Sequence, residues 1–133
     1  MHVNALDHVN IITDRLDETA EFYRALLELD RRDAPPPLTP QNAQWMHDRE
    51  GRAIIHINAV DCPRTFDRAV EPGSLTGAIH HVALNCSGYD TLLARIATMG
   101  LAHQLNTVTA IGLRQVFTAD PNNVLLELNF FGD

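Results

Sequence analysis

Ala5-Leu6-Asp7-His8-Val9-Asn10-Ile11 returns 73 positions later as Ala78-Ile79-His80-His81-Val82-Ala83-Leu84. A second stretch, Ala53-Ile54-Ile55-His56-Ile57-Asn58, is matched 71 positions later by Val124-Leu125-Leu126-Glu127-Leu128-Asn129. The near-equal offsets divide the chain into two similar modules. Each module places two ligand-type side chains at corresponding points: His8 and His56 in the first, His81 and Glu127 in the second. Three histidines and one glutamate brought together by pseudo-twofold symmetry would make a metal site.

The totals set bounds on everything else. A chain of 133 residues fits one compact domain, 1–133, long enough to bury a real core. Its 45% hydrophobic and 20% charged content is ordinary for a soluble globular protein. A formal net charge of −7 argues against nucleic acid or an anionic membrane as partner. No apolar run approaches the roughly 18 residues needed to cross a bilayer. Met1-His2-Val3-Asn4 lacks the basic, then apolar, start of a signal peptide, so a cytoplasmic location is expected. Cys62 and Cys86 have no metal-type spacing; they read most simply as free thiols, with a disulfide left open.

Each module reads as β-α-β-β-β. In module 1, about 5–60, residues 5–13 alternate as a strand, and Asp14 is expected to start a helix running to about Leu29. Its apolar face would hold Leu16, Ala20, Tyr23 and Leu27. Asp30–Asp33 is a short strand, Ala34-Pro35-Pro36-Pro37 a loop or edge, and 43–48 with 53–60 a hairpin turning at 49–52. Residues 61–77, with Pro63, Pro72, Gly73 and Gly77, link the halves. Module 2, about 78–131, repeats the order. Strand 78–86 precedes Ser87, an expected N-cap, and a helix from about Tyr89 to Met99 that stops at Gly100. Leu92, Leu93, Ile96 and Ala97 supply its apolar residues. A weak strand at 102–107 leads to a hairpin of 114–119 and 124–130, turning at Asp120-Pro121-Asn122-Asn123.

Alternation separates two faces in the last strand of each module. Val124, Leu126, Leu128 and Phe130 share one face; Leu125, Glu127 and Asn129 share the other. Likewise Ala53, Ile55, Ile57 and Ala59 oppose Ile54, His56 and Asn58. The apolar faces suit the helices, and the partly polar faces would line a cavity. A mid-strand carboxylate flanked by leucines is costly to bury without a cation. Asn10, Asn58, Asn85 and Asn129 fall on or near these inner faces, where they would orient substrate oxygens or satisfy one another. Trp45, Met46 and Phe66 would wall a pocket or form core. His47 lies in a strand that could border the cavity, whereas His2, His80 and His103 carry no strong claim.

With this topology the chain resembles the vicinal oxygen chelate superfamily: glyoxalase I, extradiol dioxygenases, methylmalonyl-CoA epimerase, fosfomycin-resistance transferases and bleomycin-binding proteins. The resemblance runs from about Leu6 to Phe130. It is carried by Leu6-Asp7-His8-Val9, Phe22-Tyr23, His80-His81-Val82-Ala83-Leu84, and Phe117 through Glu127, where an Asp120-Pro121 turn leads to a glutamate-bearing strand. Asn123 stands where a glycine is usual, and asparagine tolerates left-handed backbone angles. The resemblance implies an α+β fold of two βαβββ modules forming an open half-barrel around a metal. It implies His8, His56, His81 and Glu127 as ligands, and a homodimer acting on a small-molecule substrate. Imidazoles with one carboxylate suit Fe(II), Zn(II), Ni(II), Co(II) or Mn(II). Whether the ligands come from one chain or are shared across a dimer stays open.

Three chemistries compete within that resemblance. The first is a glyoxalase- or epimerase-like proton transfer through an enediolate-type intermediate, with Glu127 or His56 as general base. An imidazole of ordinary pKa, about 6.5, suits proton movement near neutrality. The family's glyoxalase I generally has a carboxylate where His56 stands, so His56 is a ligand, a base or a neighbour of the ligands. The second is Fe(II) ring cleavage by a His8–His81–Glu127 triad. Extradiol enzymes usually have a tyrosine where Phe117 stands and a histidine shortly before it, and residues 107–126 contain neither. The third is metal-free binding of an antibiotic or other small molecule, which the full ligand set disfavours. A fosfomycin-type thiol transfer is a minor option: the chain has no lysine, and Arg114 is the foremost arginine for a cavity anion. The first chemistry is the favoured one, a lyase or isomerase.

Overall fold

The computed structural model describes residues 1, 6, 8–63 and 81–132. The chain forms two compact units, Met1–Ala69 and Val70–Asp133. His2, Phe66, His80 and residues 64–77 of the expected linker lie outside the described residues.

The first unit runs β1 (Val9–Thr13), α1 (Leu16–Leu27), β2 (Asp30–Asp33), β3 (Ala43–His47) and β4 (Ala53–Ala59). The second runs β5 (Val82–Asn85), α2 (Tyr89–Met99), β6 (His103–Val108), a 3₁₀ turn at Thr109–Ile111, β7 (Leu113–Ala119) and β8 (Leu125–Phe131). Their sheets have the same topology, β1-β4-β3-β2 and β5-β8-β7-β6. In each, the first strand runs parallel to the last and the others pair antiparallel. This is the α+β fold of two βαβββ modules that the repeat predicts.

The cores form as alternation requires. Met46, Ile55 and Ile57 are fully buried in unit 1, where α1 packs on β3 and β4 through Thr19, Ala20, Phe22, Tyr23 and Leu26. In unit 2, Leu126, Leu128 and Phe130 are buried on one face of β8, and Tyr89 at the start of α2 meets Phe130 edge-on at 5.3 Å. Each such side chain contributes about 1.5–3 kcal/mol through removal from water. Met46 is therefore core and walls no pocket. Leu16 and Leu27 are only half-buried and Ala97 is exposed, because the buried stripes centre on Tyr23 and Ile96.

The first helix begins at Leu16 rather than Asp14, and the second begins at Tyr89 as expected. Arg15 and Gly88 occupy the N-cap positions, and neither helix start carries a side-chain cap. Thr13 Oγ1 instead accepts the Arg15 N–H at 2.9 Å, and Gly88 takes φ 87°, an angle that Ser87 would adopt only with strain. Asp17 and Asp90 remain in the first turns, where the helix dipole favours negative charge.

Candidate functional site

In unit 1, His8 immediately precedes β1, while His56 sits mid-β4 opposite Asn10 and Trp45. The His8 and His56 rings stack at 3.9 Å with their planes 16° apart. Trp45 covers the other face of His56 at 4.0 Å and 5°. His56 is thus held between two rings and presents its edge. Farther along the same face, Asn10 Nδ2 donates to Asn58 Oδ1 at 3.1 Å, and Asn58 Nδ2 to Cys62 Sγ at 3.1 Å. These asparagines satisfy one another, and Cys62 is a free thiol packed with Ala34, Ala43, Leu38 and Trp45. A β-bulge between Met46 and His47 sets His47 opposite Ala53, out of step with Trp45 and His56. Its Nδ1 is buried without a hydrogen bond.

In unit 2, His81 immediately precedes β5 and Glu127 sits mid-β8. His81 Nε2 stands 3.3 Å from Glu127 Oε2. The other carboxylate oxygen is occupied. Oε1 accepts from Gln115 Nε2 at 2.8 Å and from Asn129 Nδ2 at 2.9 Å. Gln115 Nε2 also donates to Asn129 Oδ1 at 2.9 Å, and Asn106 Nδ2 donates to Gln115 Oε1 at 2.7 Å. Asn85, on the same face, is exposed. Phe117 lies directly opposite Glu127 in the β7–β8 ladder. A phenyl ring there offers no acid–base group.

The structure therefore pairs the predicted residues module by module, His8 with His56 and His81 with Glu127. Among the described residues, no three His, Cys, Asp or Glu side chains form a group that could hold a metal ion. Gln115 and Asn106 were missed in the sequence, although strand alternation places Gln115 with Phe117 and the hairpin count places it beside Asn129. Arg114 is corrected. It pairs with Phe130 on the helix side of the sheet, and its guanidinium lies 3.9 Å over the Tyr89 ring. It is no anion ligand on the Glu127 face. A hollow of about 1020 Å³ in unit 1, lined by Asp14, Arg15, Asp17, Arg31, Asp33 and Gln44 among others, borders neither His8 nor His56.

The profile of the Glyoxalase/Bleomycin resistance protein/Dioxygenase superfamily matches residues 5–128. The chain belongs to this superfamily. It is 23% identical to Glyoxylase I 4 of Arabidopsis thaliana over 96% of its own length and 71% of that protein's. A protein from the mobile metagenome of V. Pseudocholerae superposes with a TM-score of 0.76 at 12% identity, covering 100% of this chain and 98% of that one. A glutamate-to-glutamine mutant of the fosfomycin resistance protein FosX of Listeria monocytogenes, complexed with Mn(II) and 1S,2S-dihydroxypropylphosphonic acid, superposes with a TM-score of 0.65 at 17% identity. That match covers 96% of this chain and 90% of FosX. At such identities these structural likenesses are of fold alone.

The two donors that meet in unit 2, an imidazole nitrogen and a carboxylate oxygen, are of the types that ligate divalent transition metals. Glu127 is flanked by buried Leu126 and Leu128, and neutral amides hold one of its oxygens while the other faces an imidazole. Such outer hydrogen bonds are what orient a ligating carboxylate.

Proposed function

We propose that this chain is a metal-dependent vicinal oxygen chelate enzyme of glyoxalase or epimerase type, a lyase or isomerase working on a small molecule as a homodimer. His8, His56, His81 and Glu127 are its metal ligands, with Fe, Zn, Ni, Co or Mn as the ion. One observation carries the reading: the residues matched by the repeat meet in pairs, and Glu127 keeps one oxygen free of amide donors. Mn(II) in the FosX structure supports a divalent ion within this fold. When bound, the ion supplies Lewis-acid polarisation of two neighbouring substrate oxygens.

The chain's own groups supply the rest. Oε1 of Glu127 accepts two amide N–H bonds, so Oε2 is the oxygen left to hold the ion, and it could take or return a proton only while it is not coordinated. His56, covered by Trp45 and His8, can act only through its ring edge, as a fixed ligand or a fixed base. Phe117 opposite Glu127 supports this ranking over ring cleavage.

Metal analysis of protein purified without chelator tests the reading. Near one transition metal per chain is expected, lost in a His8→Ala/Glu127→Ala double variant. Wild-type protein that stays metal-free after incubation with all five ions sinks the enzymatic reading and favours a binding module. Anaerobic turnover of hemithioacetals or 2-methyl-acyl thioesters supports the proton-transfer class. Oxygen uptake with catechols, giving a ring-opened yellow product, overturns it.

A further inference from the structure

We infer that Gln115 is a positioning residue that commits Glu127 Oε1 to the protein and leaves Oε2 for the metal, with Asn106 fixing Gln115 in turn. The inference rests on the reading of Glu127 as a ligand. Its basis is the direction of the hydrogen bonds. An ionised carboxylate only accepts, so both amides at Oε1 must present N–H. Gln115 Nε2 divides its two hydrogens between Glu127 Oε1 and Asn129 Oδ1, and Asn129 returns an N–H to the same Glu127 oxygen.

Gln115 has one group left, its carbonyl, and Asn106 Nδ2 donates to it at 2.7 Å. Turning the Gln115 amide over would set its oxygen 2.8 Å from a carboxylate oxygen and its nitrogen against the Asn106 nitrogen. Asn106, Gln115 and Asn129 are direct cross-strand partners in register, so the β6–β7–β8 ladder builds the relay. Gln115 is only 9% exposed, which shields it from competing water.

At the far side of the carboxylate the contact is loose. His81 Nε2 stands 3.3 Å from Oε2, longer than the roughly 2.7–2.9 Å of a charge-assisted hydrogen bond. One oxygen is therefore tightly held and the other weakly claimed. Without Gln115 the carboxylate loses its anchor across the sheet and can rotate either oxygen toward the ion.

Calorimetric titration with Zn(II) and with Mn(II), together with the visible spectrum of the Co(II)-loaded protein, tests this. Gln115→Met keeps the length of the side chain but removes the amide. It is expected to weaken metal binding roughly 10–100-fold and to change the Co(II) absorption bands. Asn106→Ala, which leaves both donors to Glu127 in place, is expected to give a smaller loss. Val116→Ala, a buried neighbour on the helix face, should lower stability while leaving affinity and spectrum unchanged. Equal affinity and an unchanged Co(II) spectrum in Gln115→Met overturn the positioning role. If that variant does not fold, equal affinity in Asn106→Ala overturns it. A wild-type protein that binds neither Zn(II) nor Mn(II) overturns the ligand reading beneath it, a result distinct from either of these.

Discussion

Cys86 shows how burial alone sets the chemistry of a side chain. Desolvation pushes its thiol from the ordinary 9.0 up to about 11. A neutral, protonated thiol is a poor nucleophile, so Cys86 in the folded protein should alkylate far more slowly than a free cysteine at neutral pH. The same shift couples to folding. Between pH 9.0 and about 11 the unfolded chain has lost this proton and the folded chain keeps it, so stability falls as pH rises through that window. Urea unfolding across the window should show a smaller alkaline loss in Cys86→Ser than in wild type. Equal slopes would remove burial as the cause. The sequence shows two cysteines without metal spacing, but their burial depends on chain segments that only folding brings near.

At the scale of elements, the two helices end at equivalent points with unequal ease. Glu28 closes α1 at φ 57° and Gly100 closes α2 at φ 65°, both left-handed. A Cβ at Gly100 would meet nothing within 4 Å, so a side chain there costs only backbone strain. Glu28→Gly should stabilise the protein by about 0.5–1 kcal/mol, and Gly100→Ala should destabilise it by a similar amount. Chemical denaturation measures both, and opposite signs are the expected result. The Gly100 stop was legible in the sequence because glycine announces a left-handed cap. Glu28 carries no such signal, so the sequence places the helix end at Leu29 instead of Leu27. The first helix starts at Leu16 rather than Asp14 for a related reason: Asp14 has cap chemistry, but Thr13 Oγ1 accepts the Arg15 N–H at the entry. The second starts at Tyr89 as expected, with Gly88 rather than Ser87 as its N-cap. Asn123, at φ 63°, does take the left-handed angle that its residue type suggested.

At the scale of the molecule, each unit buries its own apolar face. Leu26 is fully buried in the first and Ile96 nearly so in the second. Leu26→Ala and Ile96→Ala should each cost about 2–5 kcal/mol, as buried large-to-small changes do. Native-state hydrogen exchange should show protection lost mainly in the unit that carries the substitution. Equal loss in both units would mean that they open together.

The repeat, read by itself, determined the order of elements and which face each strand turns to the helix. A period of two in the strands and near 3.6 in the helices leaves few ways to bury these side chains. It also nominated His8 with His56 and His81 with Glu127 by position alone. Tertiary structure decided what surrounds them. Hairpin register brought Gln115 and Asn106 to one oxygen of Glu127, stacked Trp45 on His56, and turned Arg114 away toward Tyr89. Side-chain periodicity assigns a residue to a face, but only the pairing of strands assigns its neighbours across the sheet, and those neighbours orient the carboxylate and the imidazole.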